Sequence, residues 1–320
     1  THNLIANGVV CHNCGEIPSL PYEPCNLASI NLVKFLIPET KNINWEFLEY
    51  VVRLTTRFLD DVHTVSYSSL EDVNNQAKGL RRLGIGVMGF ADLLAEMDVA
   101  YDSKGAIELS EYLSWFISFF SILESVNLAE ERGPFPFFDS EKIDWNPIKK
   151  VLESEYVPDL YKFNFDTMQL RNVATTSLPP TGSTSLLADV NSSIEPFYAL
   201  GYTKNITEGV ENKALRKISV LNKILFSKLK DGGMDDSAIS AIKDIVVKTG
   251  TIKDCKNISE KTKGIFKTAL EIPPESHINI QNAWQKYFIN GISKSSNVPQ
   301  EYSVENIYDL LLYIFRSGVK

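Results

Sequence analysis

Three of the chain's four cysteines, Cys11, Cys14 and Cys25, fall within fifteen positions of one another, with His12 between the first two. Sulfur and imidazole at that density are ingredients of nucleophilic, redox or metal chemistry. Four cysteines in 320 residues are too few for a disulfide scaffold. Cys11-x-x-Cys14 with His12 and Cys25 has the spacing of a zinc-binding structural module, but no second pair completes it, since Cys255, His63 and His277 stand alone. Any one of these cysteines taken singly also reads as a buried structural residue.

Two further segments could bind anions. Pro180-Thr181-Gly182-Ser183-Thr184-Ser185 offers backbone amides freed by glycine, hydroxyls and a following helix N-terminus. Together these can hold an anion without Lys or Arg, and the same composition also makes an ordinary turn. Gly84-Ile85-Gly86-Val87-Met88-Gly89 matches the dinucleotide fingerprint G-x-G-x-x-G. A nucleotide-binding dehydrogenase built on it needs a strand before Gly84 and an acidic residue such as Asp102 or Glu108 after it, and Lys78 to Leu83 does not read as a strand.

The elements that must position these groups follow from periodicity. Asn26 to Leu36 alternates as a strand, and Asn44 caps a helix with Phe47, Val51, Leu54, Phe58 and Val62 on one face. A second helix runs from a Ser103 cap through Leu109, Leu113, Phe116, Phe120 and Leu123 to Gly133-Pro134. Phe135 to Leu170 is irregular but too aromatic for disorder. Asn172 to Leu178 reads as a buried strand, and helices are expected over 212–230, 235–248, 259–270, 275–291 and 303–316. Strands alternating with helices make the fold class α/β, with a mostly helical second half.

Composition narrows the function classes. The chain is 44% apolar and 11% aromatic, which is globular, and its formal charge of -8 leaves no basic footprint for nucleic acid or a membrane surface. The apolar run from Trp115 to Leu123 is too short to span a bilayer, and no signal-peptide pattern opens the chain, so a cytoplasmic protein is expected. Thr1 in place of Met marks a processed chain or a fragment of a longer one.

Two resemblances overlap at Cys14. CGEIPSLPYEPCNLASINL (14–32) resembles the active-site segment of ribonucleotide reductase large chains, most closely the adenosylcobalamin-dependent class II enzymes. LGIGVMGFADLL, the Pro180–Ser185 loop with Ser193-Ile194-Glu195-Pro196, and Thr268 to Lys294 extend the resemblance toward the end of the chain, loosely over 205–265. THNLIANGVVCHN (1–13) resembles the C-terminal tail of an intein. The intein would account for His12 standing where the reductases carry Asn in Asn-Pro-Cys-Gly-Glu.

These resemblances imply residues 1–13 as intein tail and 14–320 as the C-terminal part of the reductase catalytic barrel, a piece of the family's ten-stranded α/β barrel. They imply that Cys14 carries a thiyl radical that abstracts the ribose 3′ hydrogen, that Glu16 is the acid/base at the 3′ hydroxyl, and that Cys25 is one of two thiols oxidised as the 2′ hydroxyl leaves. Pro180, Thr181, Gly182, Ser183 and Thr184 would bind the substrate phosphate, while the LGIGVMGFADLL glycines serve packing. For splicing, His2 and His12 assist, Asn13 attacks its own carbonyl and Cys14 is the nucleophile.

The implied activity is reduction of ribonucleotides, as diphosphates, to deoxyribonucleotides, with adenosylcobalamin as cofactor. A class I chain with a separate radical subunit is the alternative. The implied partners are the N-terminal half of the reductase and of the intein, a ribonucleotide substrate, a thioredoxin-like reductant and further copies in a homo-oligomer. The chain alone is expected to be inactive.

Overall fold

The computed structural model describes the backbone of residues 3–6, 9–12, 15–207 and 214–318, and the side chains of 15–203 and 220–318. A hairpin of β1 (Asn3–Ala6) and β2 (Val9–His12) opens it, with Asn3 opposite His12. The Asn7-Gly8 dipeptide between them is a strong hairpin signal in sequence. β3 (Asn26–Asn31) leads through a 3-10 turn, Leu32–Phe35, to the short antiparallel pair β4 (Leu36–Ile37) and β5 (Asn42–Ile43). Next come α1 (Trp45–Val65), α2 (Glu71–Leu80), β6 (Leu83–Met88), α3 (Phe90–Glu96), α4 (Lys104–Arg132), α5 (Trp145–Leu152) and α6 (Gly182–Ala188). The hairpin β7 (Gly201–Thr207) and β8 (Ala214–Leu221) precedes α7 (Lys223–Asp231), α8 (Asp236–Thr249), α9 (Glu260–Ile265), α10 (Pro274–Gln285) and α11 (Val304–Ser317).

The arrangement that matters for chemistry is a run of parallel extended segments. β3 pairs with β6 in parallel register, Asn26 opposite Leu83 through Asn31 opposite Met88. The helical crossover through α1 and α2 is what a parallel pair requires. Beyond β6, Leu83 N donates to Ala174 O (2.9 Å), Ile85 N to Thr175 O (2.8 Å) and Ser177 N to Ile85 O (3.1 Å). Ser293 N in turn donates to Leu178 O (2.9 Å). Residues 174–178 and 291–293 therefore continue the ladder through isolated bridges, without forming full strands. The fold is mixed α/β, and no closed barrel forms among the described residues.

Two helices hold the ladder from behind. The Asn44 side chain accepts from Phe47 N (3.0 Å) and starts α1. Ser103 accepts from Ala106 N (3.2 Å) and starts α4, which stops at Gly133 with φ +81. Both caps fall where the sequence placed them. α4 is buried nearly all round, with Leu113, Ile117 and Phe119 fully enclosed, and packs on α1 and α10. Among the described residues it is the one helix long and apolar enough to cross a membrane, and 67% of that stretch is buried inside the fold as a core helix.

Several expectations are corrected. The face of α1 turned inward carries Leu48, Val52, Thr56, Leu59, Asp60 and His63, whereas Phe47, Leu54 and Phe58 are exposed. Both rows have helical spacing, and the buried one was hidden because Thr56, Asp60 and His63 are polar. Asp60 is satisfied by Arg81 Nε (2.7 Å), Arg171 Nε (3.3 Å) and Asn172 Nδ2 (3.1 Å). The expected helix over 212–230 is in part strand β8, because Ala214–Leu221 follows strand periodicity against β7, and helix begins only at Lys223 after an Asn222 cap. The strand expected to run to Leu36 turns into 3-10 helix at Leu32, where Asn31 Oδ1 accepts from Val33 N (3.2 Å).

Candidate active site

Cys25 lies one residue before β3, beside Arg82, the residue before β6 in the parallel register. Its sulfur rests against Gly84: a Cβ there would come within 3.3 Å of Cys25 Sγ, 3.2 Å of Ser177 Cβ and 2.5 Å of Leu27 Cδ2. The first glycine of the G-x-G-x-x-G string is thus the floor under a thiol. The string itself is the strand, as β6, which removes the strand-then-turn geometry that a dinucleotide site needs. Burial pushes the Cys25 thiol up to about 12; nearby Arg82 opposes this and Glu23 and Glu16 add to it. At neutral pH the group is a thiol, a carrier of hydrogen.

The loop from Gly15 to Cys25 is pinned from three sides. Ser177 Oγ donates to Glu16 O (3.3 Å). Gly291 approaches so closely that a Cβ would sit 2.8 Å from Gly15 O, so only glycine fits there. Glu23, with its side chain fully out of solvent, accepts from Arg82 Nε (2.5 Å) and Leu20 N (2.7 Å).

At the other end of β3 stands the Pro180–Ser185 loop. Thr181 adopts φ +55 and caps the short helix α6 without a side-chain bond, leaving Gly182, Ser183 and Thr184 exposed. A second loop buttresses it. Ser193 N donates to Thr181 Oγ1 (2.8 Å) and Ser192 Oγ to Pro180 O (2.8 Å). Tyr101 OH donates to Ile194 O (2.6 Å), and Asn191 N to Asp92 Oδ2 (2.6 Å). Burial raises the Asp92 carboxyl to about 6 against that backbone bond. Lys294, fully enclosed, donates to Glu195 Oε2 (2.5 Å), Ser295 O (2.6 Å) and His277 Nδ1 (3.1 Å). Those three acceptors match the three protons of an ammonium.

One cleft of about 440 Å³ lies between β3 and this loop. Its lining is Leu27, Ala28 and Ser29 of β3, Met88 at the end of β6, Pro179, and Thr181 to Thr184. From Cys25 to Ser29 the strand rises roughly 13 Å at 3.3 Å per residue. Cys25 and Leu27 both meet Gly84, so Cys25 shares the strand face of a cleft residue and lies next to the cleft without lining it, with the Glu16 backbone nearby. Of the other expected site residues, His2, Asn13 and Cys14 lie outside the described residues, as does the side chain of His12 in β2. Of the proposed zinc set of Cys11, His12, Cys14 and Cys25, the side chain is described only for Cys25. Sequence reasoning missed Ser177, Gly291, Glu23, Arg82 and Lys294, each of which looks ordinary until the ladder aligns it.

Comparison with known proteins follows the same outline. The profile of the family "Ribonucleotide reductase, barrel domain" matches residues 3–320. A vitamin B12-dependent ribonucleoside-diphosphate reductase of Thermoplasma acidophilum is 35% identical over 294 residues, 92% of this chain and 34% of that protein. A namesake from Mycobacterium tuberculosis is 32% identical over 308 residues, 96% of this chain and 40% of that protein. Among solved structures, the Actinobacillus ureae class Id ribonucleotide reductase alpha subunit superposes with a TM-score of 0.68 at 23% identity, over 96% of this chain and 51% of that one. The chain spans 34% and 40% of the two curated relatives' lengths.

Proposed function

Since the chain belongs to the ribonucleotide reductase barrel family, we propose that it supplies the chemical half of a ribonucleoside-diphosphate reductase of the vitamin B12-dependent kind, within the family's ten-stranded barrel once the rest of the protein completes it. The observation that carries this reading is the placement of Cys25 just before β3, on the face that Leu27 shares, with the Thr181–Thr184 loop across the cleft that Leu27, Ala28 and Ser29 line.

In this reading the loop's amides and hydroxyls hold the diphosphate and the sugar lies along β3. Cys14 as a thiyl radical takes the 3′ hydrogen, breaking that C–H bond and forming S–H, while the Glu16 carboxylate takes the 3′ hydroxyl proton. The 2′ hydroxyl then leaves as water, taking one proton from the thiol pair formed by Cys25 and a second cysteine outside this chain. The pair's other hydrogen goes to C2′, its two electrons complete the reduction as the two sulfurs join in a disulfide, Cys14 returns its hydrogen to C3′, and Glu16 returns the proton to the 3′ oxygen. The raised thiol value of Cys25 suits a group that must give up hydrogen along with its electron.

Adenosylcobalamin is the cofactor implied by the relatives' names, and it would supply the initial one-electron oxidation. The cleft is nucleotide-sized, and its walls of Leu27, Ala28, Ser29 and Met88 do not suit a corrin. The cofactor surface is therefore assigned to the remainder of the enzyme, with a dithiol reductant and a homo-oligomeric assembly as further requirements. The 320-residue chain by itself is expected to be inactive. The test is turnover of a labelled ribonucleoside diphosphate by the completed enzyme with adenosylcobalamin and a dithiol. Deoxynucleotide formation that survives Cys14→Ser would defeat the proposal.

Residues 1–13 are proposed to be an intein tail, with His12, Asn13 and Cys14 as the junction. The β1–β2 hairpin that ends at His12 supports this reading by delivering a strand to that point. Co-expression with the upstream segment should give a ligated product that Asn13→Ala abolishes; a product unaffected by Asn13→Ala removes the reading.

A further inference from the structure

Cys25 does not stand alone at the start of β3. Arg82 lies one step before Leu83, as Cys25 lies one step before Asn26, and Asn26 and Leu83 are register partners. Arg82 is held along its whole length. Its carbonyl accepts from Asn26 N (3.4 Å) and bonds His63 Nε2 (2.8 Å). Its Nε donates to Glu23, and its Nη1 to Asn290 Oδ1 (2.8 Å). Asn290 is itself fixed, its Nδ2 donating to Thr176 O (2.9 Å) and Leu83 O (3.3 Å). Glu23 uses both oxygens and is wholly removed from solvent, while Arg82 keeps 13% exposure.

A buried carboxylate and guanidinium flanking a thiol set the local charge as well as the local shape. Resting on the reductase reading of Cys25, we propose that Glu23 and Arg82 are positioning residues for that cysteine. Arg82 stands beside the sulfur to stabilise it whenever it carries negative charge, and Glu23 offsets that influence while the sulfur is a neutral thiol.

The step that uses this support is the return from disulfide to dithiol. A thiolate of a dithiol reductant bonds to the partner sulfur, the Cys25–partner bond breaks, and its electron pair leaves on Cys25. The Cys25 thiolate, beside Arg82, then takes a proton from solvent. The second thiol of the reductant releases the mixed disulfide, so reductant dithiol and enzyme disulfide exchange two electrons. Glu16 in its own loop is a further charged group acting on Cys25, and the ring of His63, whose charged form burial disfavours, bonds the Arg82 carbonyl.

The test uses the completed, pre-reduced enzyme and needs no turnover. The rate of alkylation of Cys25 by iodoacetamide is followed from neutral to about pH 10, across the ordinary thiol range, and is read on the Cys25 peptide by mass spectrometry. Glu23→Gln keeps the acceptor for Leu20 N and leaves Arg82 unopposed, so alkylation speeds up about tenfold, equivalent to one unit in thiol ionisation. Arg82→Gln slows it by a similar factor, Arg82→Lys stays within about threefold of the parent, and the Glu23→Gln/Arg82→Gln pair returns to near the parent rate.

A purely mechanical pin predicts the opposite for Arg82→Gln, because a loosened loop exposes the sulfur. Acceleration in both single variants, or no change in either, overturns the proposal. If Glu23→Gln does not fold, Arg82→Gln alone still separates slowing from acceleration. The charge effect can fail while deoxynucleotide formation by the completed enzyme still depends on Cys25, so the two failures are distinguishable.

Discussion

Replacing Lys294 by Met should be among the most damaging single changes in the chain. The ammonium is fully enclosed, and its protons go to Glu195, His277 and Ser295. Burial pulls Lys294 down and the Glu195 carboxylate pulls it back, so the charge persists because of its partner. Methionine fills the channel but leaves Glu195 without its counter-charge. Breaking a buried pair from one side costs about 3–5 kcal/mol, and the 24% exposure of Glu195 places this case near the lower figure, about 3 kcal/mol. At roughly 2 °C per kcal/mol for a chain of this size, the thermal midpoint falls by about 6 °C. Lys294→Met/Glu195→Gln removes both charges, keeps the acceptor for Ser295 N, and should recover about 1–2 kcal/mol as a coupling in the double-mutant cycle. The assay is thermal and urea unfolding of all four proteins. A single-mutant cost below about 1 kcal/mol, or strictly additive changes, would refute the view that this pair ties the 189–196 loop to residues 291–295.

Other consequences follow from close packing and burial. Gly84→Ala places a methyl against Leu27 and Cys25 and should cost about 1–3 kcal/mol by denaturant unfolding, with faster alkylation of Cys25 as the sulfur is displaced. Gly86→Ala should cost more, because its Cβ would meet the backbone oxygen of Ser177 at 2.5 Å, and an equal or smaller loss would contradict the ladder described here. Asp92 has its carboxyl raised to about 6, so the folded chain holds that proton more tightly than the unfolded one. Its stability contribution is therefore complete below about pH 4 and lost as pH rises through 6. Asp92→Asn keeps an acceptor for Asn191 N, so it should match the parent near pH 4 and be about 1–3 kcal/mol more stable above pH 7. A pH-independent difference in the unfolding midpoints would count against it.

What could be read from the sequence followed from local rules. Asn44 and Ser103 announced their helices because a cap is a contact within three residues, and Gly133 announced the end of α4 for the same reason. The cysteine segment and the Pro180 loop stand out by residue type, and β3 relates them, with Cys25 just before its start and the loop across the cleft that Leu27, Ala28 and Ser29 line. The inward face of α1 was misread because Asp60 and His63 are buried by virtue of Arg81, Arg171 and the Arg82 carbonyl, partners that lie far along the chain. The β8 part of the expected 212–230 helix departs from expectation because strand pairing is settled by a partner, β7, that a single window does not contain. Glu23, Arg82, Ser177, Gly291 and Lys294 gain their meaning only from the parallel register, which no local pattern states.

The account stands most directly on the fate of Cys25 in a single turnover. The completed enzyme, pre-reduced and freed of external dithiol, is given excess ribonucleoside diphosphate and adenosylcobalamin, and the product is compared with the disulfide found at the Cys25 peptide. The account predicts that deoxynucleotide and Cys25 disulfide appear in equal amounts. Product formed while Cys25 stays a free thiol would contradict it.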